Sequence, residues 1–99
     1  MSSATPEKPG AGTVTVRYWA SARAAAGVES DAVDVGSGTT LAELFVQVQK
    51  LHPDRPKLPA VLGVCSALVG DRPVGATDPA DVALRPGDVV ELLPPFAGG

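Results

Sequence analysis

The chain has 99 residues, 44% hydrophobic and 19% charged, with a formal net charge of −3 at neutral pH. That is enough for one small domain around one core, and the slightly acidic balance argues against nucleic acid as the main partner, because neutralising phosphates takes clustered Lys and Arg. A single cysteine, Cys65, excludes an internal disulfide and a cysteine-cluster metal site, and no run reaches the roughly 18 apolar residues of a membrane span.

The opening MSSATPEKPGAG is small, polar and rich in Pro and Gly, so residues 1–12 are expected to form a disordered leader. No apolar run follows a basic start, so it is not a signal peptide, and cytoplasmic residence is the natural reading. The folded domain is expected over residues 13–93. TVTVRYWA (13–20) alternates β-branched and aromatic residues and predicts a strand. Val14, Val16 and Tyr18 share its core face; Thr15, Arg17 and Trp19 share the other. Trp19 is thereby left on a polar side. ARAAAG (22–27) predicts a short helical turn closed by glycine, and ESDAVDV (29–35) a second strand able to pair with the first as a hairpin.

GSGTTLAELFVQVQKLHP follows. Thr40 and Glu43 have the spacing of a capping box, and Leu41, Leu44, Phe45, Val48 and Leu51 form one helical stripe. Lys50 and His52 suit the C-terminal end, and Pro53 stops the helix. PDRPKLP (53–59) reads as a proline-broken loop, VCSALVG (64–70) as a third strand and GDRPVG as a turn. Pro86-Gly87 fits the centre of a type II turn. VVELL (89–93) is the last strand, with Val90 and Leu92 on one side and Val89, Glu91 and Leu93 on the other. One amphipathic helix over one sheet is an α+β pattern. A β-grasp (ubiquitin-like) arrangement, a mixed sheet packed on one main helix, sets the first and last strands side by side and brings Trp19 near Leu93.

No catalytic centre assembles from these residues. His52, the one histidine, reads as a helix-end or surface residue, and Cys65, in an apolar stretch, as a buried inert thiol. GSG lacks the rest of a phosphate loop, no G-x-S-x-G motif occurs, and Asp71 and Asp88 sit in turns, where Asp bonds locally. The tail, residues 94–99, is different. Pro94 and Pro95 cannot donate to a ladder and force the chain out of the sheet; Phe96, Ala97, Gly98 and Gly99 follow. Glycines fit a narrow cleft, and six residues reach roughly 20 Å. A flexible tail of this kind can deliver the Gly99 carboxylate into another protein, where adenylation would make it reactive.

GDVVELLPPFAGG, with the capped helix and VRYWASARAAAG, resembles the small, sulfur-carrying subunit of molybdopterin synthase over residues 13–99. The resemblance implies a carrier that is consumed and regenerated rather than an enzyme in its own right, the active site lying in the large subunit. An ATP-dependent, ubiquitin-activating-type enzyme would adenylate Gly99, and a sulfur donor would convert it to a thiocarboxylate. In the large synthase subunit that group would give sulfur to cyclic pyranopterin monophosphate in molybdenum cofactor biosynthesis. Trp19, Pro73 and Leu93 match the family's apolar docking patch, with Pro94, Pro95, Phe96, Ala97 and Gly98 as the threaded tail; Arg23 matches a recurrent arginine. No bound cofactor and no metal are implied, ATP being used by the activating enzyme. The alternatives are a sulfur carrier for thiamine or cysteine biosynthesis, and a ubiquitin-like modifier conjugated through Gly99.

Overall fold

The computed structural model describes residues 12–95. The expected leader apart from Gly12, and Phe96, Ala97, Gly98 and Gly99, lie outside them. Along the chain run β1 (Gly12–Tyr18), α1 (Ala20–Ala26), β2 (Ser30–Val35), α2 (Leu41–Leu51), α3 (Leu58–Val64), β3 (Ser66–Val69), β4 (Arg72–Pro73), a 3-10 turn (Pro79–Asp81) and β5 (Val89–Leu93). The strand order is β2-β1-β5-β3-β4. At its centre β1 and β5 are parallel, and the other neighbours are antiparallel. This is the expected α+β, β-grasp sheet.

The period-two alternation of β1 and β5 works as read. Val14, Val16, Tyr18, Val90 and Leu92 are buried on one face, and the register sets Val16 beside Val90 and Tyr18 beside Leu92. Against them α2 lays Leu41, Leu44 and Val48. Its N-terminus carries the capping box: Glu43 N–H donates to Thr40 Oγ1 (3.2 Å), and Thr40 N–H donates to Glu43 Oε1 (2.8 Å). Leu51, expected in the apolar stripe, is half exposed. Ten residues on from Leu41, at 100° per residue, the side chain has turned about 80° away from it.

Other boundaries differ from the sequence reading. Gly12 belongs to β1, paired with Val35, rather than to the leader. Trp19 is the N-cap of α1 rather than a strand residue. The proline-broken loop ends at Lys57, and a third helix, α3, begins at Leu58 and buries Leu58 and Leu62. Its Pro59 falls in the first turn, where a missing N–H costs no helical bond. Val64 is therefore helical, Cys65 caps α3, and β3 starts at Ser66. The turn read at Gly70–Gly75 contains the two-residue β4, so the sheet has five strands rather than four. The helical turn expected at 22–27 is α1, closed by Gly27 as read, and α3 is the helix that was not foreseen; among the described residues α2, with 11 residues, is the main helix, as expected.

Candidate functional site

The end of β5 is fixed by the turn that precedes it. Around Pro86-Gly87, Asp88 N–H donates to the Arg85 carbonyl (3.0 Å), and Gly87 takes φ 91°, the left-handed value that a type II turn requires at its third position. Gly87 N–H also donates to the Thr13 carbonyl (2.7 Å), which ties the start of β5 to β1. From there Val90 and Leu92 anchor the strand in the core, and Leu93, paired with Ser66, is its last rung. Pro94 is half-buried and Pro95 exposed. Neither has an N–H to extend the ladder, so the chain leaves the sheet there.

The face away from α2 has its own order. In register across four strands lie Arg17, Glu91, Leu68 and Pro73. Trp19 lies one step further along β1's direction and Leu93 one step further along β5. Trp19 is 40% exposed. Its N–H donates to the Leu92 carbonyl (3.2 Å), and its carbonyl accepts from Ala22 N–H (2.9 Å). The indole Nε1–H donates to Glu91 Oε1 (3.0 Å), and the Arg17 guanidinium sits over the ring, 4.9 Å from its centroid. Directly after it, Ala20 takes φ 51°, a left-handed value that costs a non-glycine residue about 1 kcal/mol or more.

Leu93 and Pro73 line one apolar groove together with Leu68, Phe45, Cys65 and Val74. The structure thus places Trp19, Leu93 and Pro73 on one face, with Leu68 joining the last two. Sequence reading missed Leu68; its signal was the alternation in SALV, where buried Ala67 fixes Leu68 to the opposite side.

The remaining candidates are structural. His52 is a helix-end residue as expected, the C-cap of α2, but its side chain is not on the surface: its Nε2 lies 2.6 Å from Asp31 Oδ2, and both side chains are largely shielded. The same oxygen accepts from the buried Tyr18 hydroxyl (2.8 Å). Burial first, then the hydrogen bond to Asp31 and its charge, push the Tyr18 phenol well above its ordinary range. Burial alone pushes the Cys65 thiol up, which suits an unreactive thiol. Arg23 pairs with Glu29 across the α1–β2 link (2.9 Å) on the exposed surface.

Residues 16–99 match the ThiS family. The molybdopterin synthase sulfur carrier subunit of Chlamydomonas reinhardtii is 31% identical over 86 residues, covering 87% of this chain and 98% of that protein. Among solved structures, the crystal structure of small archaeal modifier protein 1 from Haloferax volcanii superposes with a TM-score of 0.73 at 22% identity, covering 89% of this chain and all of that one. It shares the fold. A chain of the complex between subunits 1 and 2 of molybdopterin-converting factor from Helicobacter pylori is 28% identical, with a TM-score of 0.57 over 88% of this chain and 99% of that one.

Proposed function

The chain belongs to the ThiS family, and we propose that it acts as the sulfur-carrying small subunit of molybdopterin synthase, with Gly99 as its working residue. The observation that carries this reading is the 31% identity to a sulfur carrier subunit across nearly the whole of both chains. The fold supports it: β5, which leads into the tail, is the central strand of the sheet and ends beside Trp19 and Leu93 on the face away from α2. A partner of the large-subunit kind is supported by the likeness to the two-subunit complex.

Chemically, an ionised terminal carboxylate is a poor electrophile. A ubiquitin-activating-type enzyme would let a Gly99 oxygen attack the α-phosphate of ATP, releasing pyrophosphate. Sulfide would then attack the Gly99 carbonyl carbon and expel AMP, leaving a thiocarboxylate; a persulfide donor would reach the same product through an acyl disulfide that a thiol then reduces. In the large subunit the sulfur would bond to a carbon of the cyclic pyranopterin precursor, and water would cleave the acyl–sulfur bond so formed, leaving sulfur on the precursor and Gly99 as a carboxylate. This chain supplies position rather than bond-making. Trp19, Leu93 and Pro73 dock the activating enzyme; Pro94, Pro95, Phe96, Ala97 and Gly98 thread its cleft; Gly99 reacts.

Tail length tests the reading. The reacting carbon must meet the adenylating site to within about 1 Å, or lose roughly 100-fold in rate. Deleting Gly99 withdraws the terminus by about 3.5 Å, and adding one alanine after it overshoots and introduces a methyl group. Both variants should keep the parent's melting temperature while adenylation and sulfur transfer collapse. Full activity in either would overturn the assignment of Gly99.

A further inference from the structure

Trp19 is the chain's one tryptophan, and it is held from three sides although it faces solvent. Its indole N–H is bonded to Glu91, its ring face lies under Arg17, and its backbone is fixed by bonds at both its N–H and its carbonyl. The left-handed Ala20 that follows turns the chain sharply away from the strand, and strain of this kind persists only where the surroundings over-determine it.

Arg17 and Glu91 are directly opposite each other on β1 and β5. Opposite charges so placed ordinarily pair with one another. Here each engages the indole instead: Arg17, two residues before Trp19 and on the same face, covers the ring, while Glu91 takes its edge. Glu91 stands on the uncovered face of β5, where alternation places a polar residue, and its carboxylate is engaged by the indole.

We propose that Arg17 and Glu91 are positioning residues for docking, holding the Trp19 indole in one orientation beside Leu93 so that the activating enzyme meets a ring already in place. The inference rests on the docking role given to Trp19 above. Its physical basis is preorganisation: a surface side chain that must be immobilised on binding weakens affinity, and one already immobile does not. A cation over an indole face and a hydrogen bond at its edge act in different directions, so together they fix both the tilt and the swing of the ring.

The full chain allows a direct test, because tryptophan emission reports Trp19 alone. Time-resolved anisotropy should show the parent indole tumbling with the whole molecule. Arg17→Ala and Glu91→Ala should each add a fast component and raise KM in ATP–pyrophosphate exchange by the activating enzyme about 3- to 10-fold, with kcat unchanged because the tail is untouched. Glu91→Gln keeps a side-chain acceptor and should restore both readouts. A raised KM with the ring still immobile would mean direct contact with the partner and would overturn positioning; so would a freed ring with an unchanged KM, or no change in either. Trp19→Ala separates the two readings: if it leaves KM unaltered, the docking role itself fails, and positioning with it.

Discussion

At the scale of single residues, Tyr18, Asp31 and His52 meet at one carboxylate oxygen, with contacts of 2.8 and 2.6 Å. Val16 and Asp31 are cross-strand partners, so the carboxylate hangs on the helix-facing side, where it needs donors. Tyr18 and His52 supply them. Asp31→Ala removes the acceptor for both and leaves a buried hydroxyl unpaired, and should cost about 1–3 kcal/mol; Tyr18→Phe removes one donor and should cost less. Denaturant unfolding of the two variants checks that order. The Tyr18 phenol also sets a pH dependence. Its folded pKa lies above the unfolded value of about 10, so its contribution is fully present below pH 10. Above that the unfolded chain releases the proton while the folded one keeps it, and stability falls. As the chain's one tyrosine, Tyr18 should show phenolate absorbance only as the protein unfolds, and Tyr18→Phe should flatten the alkaline loss. One more residue stands out: Ala20→Gly should be neutral or stabilising by up to about 1 kcal/mol, since glycine adopts φ 51° without a Cβ clash.

Elements differ in how much of them a reader of the chain can see, and the reasons are physical. The helix α2 is legible because its cap and its stripe are both local patterns. Thr40→Ala should cost about 1 kcal/mol, read as a lower melting temperature, since Thr40 Oγ1 satisfies the Glu43 N–H. The strands β1 and β5 are legible because a sheet covered on one face imposes alternation. By contrast α3 has no such signature: LPAVLGV carries a proline and a glycine and buries only Leu58 and Leu62. Its role is nonetheless testable against the stripe residue that strayed. Leu58→Ala should cost about 2–5 kcal/mol, whereas Leu51→Ala, half exposed, should stay within about 0.5 kcal/mol. Equal losses would mean that α3 is not part of the core. The two residues of β4 are too few to alternate at all. Gly27 shows a further limit: φ 81° there favours glycine, and the Arg55 guanidinium lies against it, a neighbour distant along the chain that the sequence could not show.

Across the whole molecule, the site divides into a part that sequence could reveal and a part that it could not. Trp19 and Leu93 were legible as apolar residues on polar faces, because parity is a local property of each strand. The Glu91 brace and the neighbour Leu68 were not, since Glu91 is 72 residues from Trp19 and Leu68 meets Pro73 through the β3–β4 register; Arg17 alone was placed on the Trp19 face by parity. The Tyr18–Asp31–His52 cluster was hidden for the same reason, its members being 13 and 21 residues apart. What the fold adds is a direction: the parallel central pair, β1 and β5, brings Trp19 and Pro94 to the same end of the sheet.

Sulfur on Gly99 is read from the intact mass of the full chain after reaction with its activating enzyme, ATP and a sulfur donor, with fragment masses to locate any change. A sulfur-for-oxygen exchange confined to the terminal residue, and equally present in Cys65→Ala, is the expected result. A mass change that resides on Cys65, or no sulfur at Gly99 under conditions where adenylation proceeds, would contradict it.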